Sequence, residues 1–145
     1  YRVMGNAHED VLTAFEATLK TVHAYLVRTH LPERVEKLIG KKAIGNAFQN
    51  VDRGRGVFAK IGIDPFDGLN DLEIENLRLN IQKRHVLGHN LGVADEHYAS
   101  FSEDHEPGET VTLIGEDVKR FADYCLRVVE RLEEYLLSNV TLSEP

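Results

Sequence analysis

The sequence has a single cysteine, Cys125, so it cannot form an internal disulfide. A lone thiol within an apolar helical stripe is most simply a small core residue in a reducing compartment, and we expect a cytoplasmic protein. The sequence also lacks the roughly 18 consecutive apolar residues that a membrane span needs. No charged-then-apolar leader opens it, so we expect neither a membrane protein nor a secreted one.

An excess of basic residues is also missing. The 17 Lys and Arg residues are outnumbered by 24 Asp and Glu, and the formal net charge is −7. Proteins that coat nucleic acid usually carry a basic face, because phosphate contacts dominate their affinity. The acidity argues against that class, and any contact with nucleic acid must be local and transient.

The length and composition favour one soluble globular domain. The chain has 145 residues, of which 42% are hydrophobic and 28% are charged, enough for a single buried core. We interpret residues 1–145 as one domain. Because the sequence opens with Tyr1 rather than Met, we also consider that this domain belongs to a longer polypeptide.

Apolar residues recur at helical spacing in three long segments, which predicts helices over residues 6–30, 71–89 and 116–138. Asn6 is interpreted as the cap of the first helix, and Pro32 as the residue that stops it. The sequence therefore predicts an all-α bundle with long first and last helices.

The segments between these helices are shorter and more polar. A short helix is predicted over "ERVEKLIG", residues 33–40, and frequent glycines predict short helical pieces and turns through residue 68. The two arginines of "RGR", residues 53–55, are interpreted as part of a solvated loop, with contact to a phosphate as the alternative. Polar and apolar residues alternate in "ETVTLI", residues 109–114. This alternation predicts a small hairpin in the loop between the second and third long helices.

The predicted helix over residues 71–89 has two apolar faces. One stripe consists of Ile74, Leu77 and Ile81, and a second, on nearly the opposite side, consists of Leu72, Leu79 and Val86. A helix that is apolar on two sides is buried on two sides. We therefore expect it to pack against its own bundle and against a further helix or a partner chain.

The end of this helix carries a dense group of ionisable side chains, within "KRHVLGHNLGVADEHY", residues 83–98. Arg84, His85 and His89 lie around the continuation of the first apolar stripe. Gly88 lies among them without a side chain, so a ligand or another backbone can approach closely. Three interpretations are open: a metal site, a site for phosphate chemistry, or a hydrated helix end.

A metal site has partial support. His85 and His89 have the spacing at which two imidazoles can share one ion. However, the glutamate of the H-E-x-x-H pattern is missing and no cysteine ligand is near, so further ligands would come from Asp95, Glu96 or His97.

Phosphate chemistry uses the same residue types in another way. Arginine offers a fixed fork of donors that matches phosphate oxygens, and histidine transfers protons near neutral pH. Arg84 and His89 together would supply what metal-free cleavage of RNA by its own 2′-hydroxyl requires. The third interpretation, cations that stabilise the negative end of a helix dipole, explains the same residues without chemistry.

The stretch resembles the signature of the HEPN superfamily (higher eukaryotes and prokaryotes nucleotide-binding), in which an Arg precedes a His by four to six intervening residues. Arg84 matches the Arg, His85 the polar position after it, and His89 the His, and Asn90 opens the segment that follows the motif. Further similarity lies in "AIGNAFQNV", "GIDP" and "GEDV", so that the resemblance spans most of the chain.

The resemblance implies a compact helical bundle that forms a homodimer through the motif helix. It implies a metal-independent endoribonuclease without cofactor, which leaves a 2′,3′-cyclic phosphate and a 5′-hydroxyl. Arg84 and His89 would be catalytic, and His85, Asn90 and Lys83 would bind or orient the substrate. Members act in toxin–antitoxin pairs, antiviral defence and RNA processing, with RNA as a transient partner and an antitoxin or fused domain as a further one. Other members have lost catalysis and serve as dimerisation or nucleotide- or partner-binding modules.

Overall fold

A computed structural model of the chain describes residues 2–89, 107, 115–138 and 142, with the backbone alone at residues 2–4 and 85–89. Most of these residues are helical, and none of them lies in a strand. The prediction of an all-α bundle with long first and last helices and short middle helices is confirmed. The hairpin predicted at residues 109–114 lies outside the described residues. Across the described ranges, no helix is both long enough and apolar enough to cross a membrane.

The bundle consists of three long helices and several short ones. The helices are α1 (Arg2–His30), α2 (Val35–Ile39), α3 (Lys41–Ile44), α4 (Val51–Ala59), α5 (Asp71–His89) and α6 (Gly115–Leu137), with 3₁₀ turns at Pro32–Arg34 and Ala47–Gln49. The predicted limits of α5 agree with the structure, and those of α6 differ by one residue at each end.

The first helix begins earlier than predicted. Helix α1 starts at Arg2, so Asn6 is an exposed residue within the helix and the interpretation of Asn6 as its cap was wrong. A single glycine within a helix, such as Gly5, costs only about 1 kcal/mol relative to alanine, which is too little to stop a long helix. The predicted end is confirmed, since Leu31 leaves helical geometry directly before Pro32.

The two arginines of residues 53–55 lie on helix α4, so their interpretation as a solvated loop was wrong. Asn50 caps this helix, and its Oδ1 accepts a hydrogen bond from the Arg53 N–H at 2.9 Å. The side chain of Arg53 donates to Asn46, and that of Arg55 donates from Nε and Nη2 to Asp64. Both side chains therefore tie α4 to the turns on either side of it.

One cluster of buried side chains joins the helices. The apolar residues that recur at helical spacing in the three long segments supply much of it: Phe15, Leu19 and Leu26 of α1, Ile74, Leu77 and Ile81 of α5, and Phe121, Cys125, Val128 and Leu132 of α6. The short helices add aromatic rings. Phe48 and Phe58 lie 5.9 Å and 5.3 Å from the ring of buried His23.

Helices α5 and α6 run in opposite directions. Glu73, in the first turn of α5, pairs with Arg127 near the middle of α6, whereas Lys83, near the end of α5, lies close enough to Asp117 at the start of α6 to feel its charge. The face of α5 opposite this packing is less covered, because Leu72 is 82% exposed and Leu79 is half-buried. This arrangement brings the end of α5 to the start of α6.

Candidate functional site

The predicted motif lies on one continuous helix. Arg84 is five residues before His89, at which α5 ends, so the two positions are separated by about 7.5 Å along the helix axis and by about 140° around it. The side chains of His85 and His89, and the whole of Asn90, lie outside what the structure describes. Among the predicted site residues, the side chains of Arg84 and Lys83 can therefore be placed.

Two carboxylates of α1 hold the guanidinium of Arg84. Its Nε and Nη2 lie 3.1 Å and 2.9 Å from the same oxygen of Glu9, Oε1. On the other side, Nη1 donates to Oε2 of Glu16 at 3.0 Å. Glu9 and Glu16, which we call the carboxylate pair, thus occupy both sides of the guanidinium and tie α5 to α1.

The two carboxylates differ in their own surroundings. The Nε2 of Gln49 donates to the other oxygen of Glu16, Oε1, at 3.2 Å, so both oxygens of Glu16 accept hydrogen bonds. Glu9 receives a longer bond of 3.4 Å from Thr13, one turn along the same helix. The side chain of Glu9 is 49% exposed and that of Glu16 is 27% exposed. Glu16 is therefore the more firmly held of the two.

The carboxylate pair also sets the charge of the site. Partial burial lowers the pKa of Arg84, but the hydrogen bonds to Glu16 and Glu9 outweigh this effect and raise the pKa above its ordinary value. One positive and two negative charges leave this group with a formal charge of −1. A phosphate that approaches Arg84 must therefore compete with a carboxylate for the guanidinium donors.

A group of buried polar side chains lies beside Arg84. His8, Asn80 and Lys83 are only 1%, 2% and 8% exposed, and we call them the buried polar group. The ring of His8 lies 5.0 Å from that of Phe121 on α6. Burial lowers the pKa of Lys83, and the charge of Asp117 partly opposes this. The role of Lys83 as a substrate contact stays a prediction, and the structure places its side chain in the interior.

Two atoms of the buried polar group lack hydrogen bonds. Within the part of the chain that the structure describes, neither Nε2 of His8 nor Oδ1 of Asn80 has a partner. Burial lowers the pKa of His8 to about 4, the nearby Asn80 side chain partly opposes this, and the charge of Lys83 adds to it. His8 is therefore a neutral imidazole at pH 7.

The sequence interpretation missed Glu9, Glu16, His8 and Asn80 as residues near the site. The signal that could have indicated the carboxylate pair is its seven-residue spacing, which places both side chains on one face of α1, two turns apart. His8 and Asn80 carry no such signal, because a single polar residue beside an apolar stripe is common.

No group of three His, Cys, Asp or Glu side chains that could hold a metal ion occurs among the described residues. The metal ligands considered from the sequence, at positions 85, 89 and 95–97, are not among the described side chains. Comparison of the chain with protein-family models, with curated proteins and with solved structures found no significant match. The candidate site is therefore defined by the sequence motif and by the geometry of Arg84.

Proposed function

We propose that the chain is a metal-independent endoribonuclease of the HEPN type, which acts as a homodimer with a composite site of Arg84 and His89 from both copies. The observation that supports this proposal most is the position of Arg84. Its side chain is 28% exposed and belongs to a helix that continues unbroken to His89. The setting would be defence, a toxin–antitoxin pair or RNA processing, with an antitoxin or a fused domain as a further partner.

The chemistry requires one proton transfer at each end of the reaction and charge stabilisation between them. The ribose 2′-oxygen attacks the neighbouring phosphorus as its proton is removed, and the bond to the 5′-oxygen breaks as that oxygen receives a proton. His89 transfers protons in this scheme, because imidazole titrates near neutral pH. Arg84 stabilises the negative charge on the non-bridging oxygens. The products are a 2′,3′-cyclic phosphate and a 5′-hydroxyl.

A second copy of the chain would explain two features of α5. Its outer apolar face leaves Leu72 82% exposed, and a second copy packed there would bury this aliphatic side chain. Because Arg84 and His89 are about 140° apart around the helix, a substrate in front of a single helix cannot easily contact both side chains. Two helices that face each other would surround one cleft with both pairs.

A non-catalytic HEPN-like module, which dimerises or binds a nucleotide or partner within a larger protein, is the alternative. The ion pairs between Arg84 and the carboxylate pair favour it. An arginine whose donors are occupied on both sides is a structural link between α1 and α5, and such a link needs no substrate.

Cleavage of an RNA pool in the presence of a chelator tests the proposal. We expect the parent chain to produce 2′,3′-cyclic phosphate ends. Arg84→Ala and His89→Ala should each lower the rate at least about 100-fold, because the first removes the group that stabilises negative charge and the second removes the proton-transfer group. His30→Ala is the matched control, since His30 is exposed at the far end of α1, and it should cleave as the parent does.

Two results would contradict the proposal. If His89→Ala cleaves RNA as fast as the parent chain, the observed activity does not come from this site. If no RNA is cleaved but a nucleotide or protein partner binds and Arg84→Ala weakens the binding, the chain is the non-catalytic module.

A further inference from the structure

We propose that Glu9 and Glu16 have different tasks at Arg84: a substrate phosphate displaces Glu9, whereas Glu16 is a positioning residue that keeps the guanidinium in place. The inference rests on the proposed function only in that Arg84 receives a phosphate. It assigns roles to two residues of α1 that the motif does not contain.

The geometry of the guanidinium distinguishes the two carboxylates. Nε and Nη2 form the edge on which arginine binds a phosphate through two parallel hydrogen bonds. In this structure both nitrogens lie near the same oxygen of Glu9, at 3.1 Å and 2.9 Å. A phosphate could instead offer a separate oxygen to each of them. The remaining donor, Nη1, is 3.0 Å from Glu16 and can stay bound while the other edge changes partner.

The surroundings of the carboxylates support the same division. Glu16 accepts bonds at both oxygens, from Arg84 and from Gln49, and its side chain is 27% exposed. Glu9 is 49% exposed, and its other described bond is the 3.4 Å contact with Thr13. Release of Glu9 into water therefore frees a more exposed carboxylate whose described bonds are all at one oxygen, whereas release of Glu16 would break bonds at both of its oxygens and leave the amide of Gln49 without this acceptor.

The charges of these groups favour replacement of Glu9 by the phosphate over addition of the phosphate to the intact site. With both carboxylates in place the group is negative, and an approaching phosphate is repelled. When the phosphate replaces Glu9 at the Nε and Nη2 edge, Arg84 still has a negatively charged partner on each side, and the released carboxylate of Glu9 becomes hydrated. Without Glu16, the arginine would rest on Glu9 alone, and the phosphate would have to displace the only anchor of the side chain.

Binding of a single-stranded 2′-O-methyl RNA, which cannot be cleaved, separates the two roles. Glu9→Ala, Glu16→Ala and the control Glu33→Ala each remove one negative charge, and Glu33 is exposed beyond the opposite end of α1. Relative to Glu33→Ala, we expect Glu9→Ala to lower the Kd about fivefold and Glu16→Ala to raise it about fivefold, the size of one exposed ion pair. Fluorescence anisotropy at fixed salt measures each Kd.

Two further variants exclude a merely structural explanation. Glu16→Gln should recover most of the affinity, because its amide oxygen can still accept the Nη1 bond. Adding Arg84→Ala to Glu9→Ala should remove the gain, because the gain requires the freed guanidinium. Alanine is favourable within a helix, so the variants should fold, and Gln49→Ala provides a milder loosening of Glu16 if Glu16→Ala does not.

Equal Kd values for Glu9→Ala and Glu33→Ala, or a gain in affinity for Glu16→Ala, would overturn the division of tasks. These outcomes are independent of cleavage. If the parent chain does not cleave RNA but the variants show the expected opposite shifts, the endoribonuclease proposal fails and the inference stands. If the parent cleaves and His89→Ala does not, while the glutamate variants all match Glu33→Ala, the inference alone fails.

Discussion

His23 is a histidine that the folded chain keeps neutral. It is 1% exposed, packs against the rings of Phe48 and Phe58, and has no partner for Nε2 among the described residues. Burial lowers its pKa from 6.5 to about 4. In the unfolded chain the imidazole is protonated below pH 6.5, whereas in the folded chain it stays neutral down to about pH 4. Protons therefore favour unfolding between these values.

We expect the free energy of unfolding to fall as the pH decreases from about 6.5 to about 4, with His23 contributing on the order of 3 kcal/mol at pH 4. His8, whose pKa is also lowered to about 4, adds a second contribution of the same sign. His23→Leu should therefore remove about half of the pH dependence over this range. Urea unfolding at several pH values measures it.

His30→Leu is the control for this measurement, because His30 is exposed at the end of α1. It should leave the pH dependence as in the parent chain. A curve for His23→Leu as steep as that of the parent would show that the buried imidazole is not the group that protons act on.

Helix α5 begins with a reciprocal pair of hydrogen bonds. Oδ1 of Asn70 accepts from the N–H of Glu73 at 2.9 Å, and Oε1 of Glu73 accepts from the N–H of Asn70 at 3.0 Å. This is the capping-box arrangement, with asparagine as the cap. Because Glu73 also pairs with Arg127, the start of the motif helix is joined to α6.

Asn70→Ala should lower the free energy of unfolding by about 1 kcal/mol, the typical loss when a cap is replaced by alanine. Asn6→Ala is the matched control, since Asn6 is an exposed residue inside α1 and alanine has the higher helix propensity. We expect that control to be neutral or slightly stabilising. Equal losses for the two variants in urea unfolding would contradict the capping role.

Some features of the helices are predictable from the sequence and others are not. Features that depend on residues close together in the chain can be predicted, whereas contacts between distant residues cannot. The start of α5 follows from local chemistry, because Asn70 and Glu73 are three residues apart. The start of α1 was misplaced because a cap residue, Asn6, is also tolerated within a helix. Arg84 was identified from the motif, but Glu9 is 75 residues away, and spacing along the chain does not give the packing register of two helices.

Taken as one body, the protein is acidic, with a formal net charge of −7, and it exposes a few large apolar side chains. Leu72 on α5 and Leu137 at the end of α6 are 82% and 79% exposed. A homodimer through α5 would cover Leu72 and leave Leu137 in water. The two leucines therefore form a matched pair for testing which surface associates.

If the chain forms the proposed homodimer through α5, Leu72→Glu should convert it to a monomer, because an unpaired carboxylate in an apolar contact costs several kcal/mol. Folding of each chain should be preserved, since glutamate is favourable in the first turn of a helix. Sedimentation velocity over a range of concentrations measures the association, with Leu137→Glu as the control that should associate as the parent chain does. A Leu72→Glu chain that associates as the parent does would contradict the α5 interface.

The buried polar group has a consequence for how the bundle opens. At the end of the core near Arg84, the interior contains His8, Asn80 and Lys83, each of which loses hydration on folding. Away from it, the interior consists mainly of apolar side chains, including the rings of Phe58 and Phe66, with His23 as a buried polar side chain among them. Local unfolding starts where buried apolar contact is least. We therefore expect the part of the core around His8, Asn80 and Lys83 to open at a lower free energy than the part around Phe58 and Phe66.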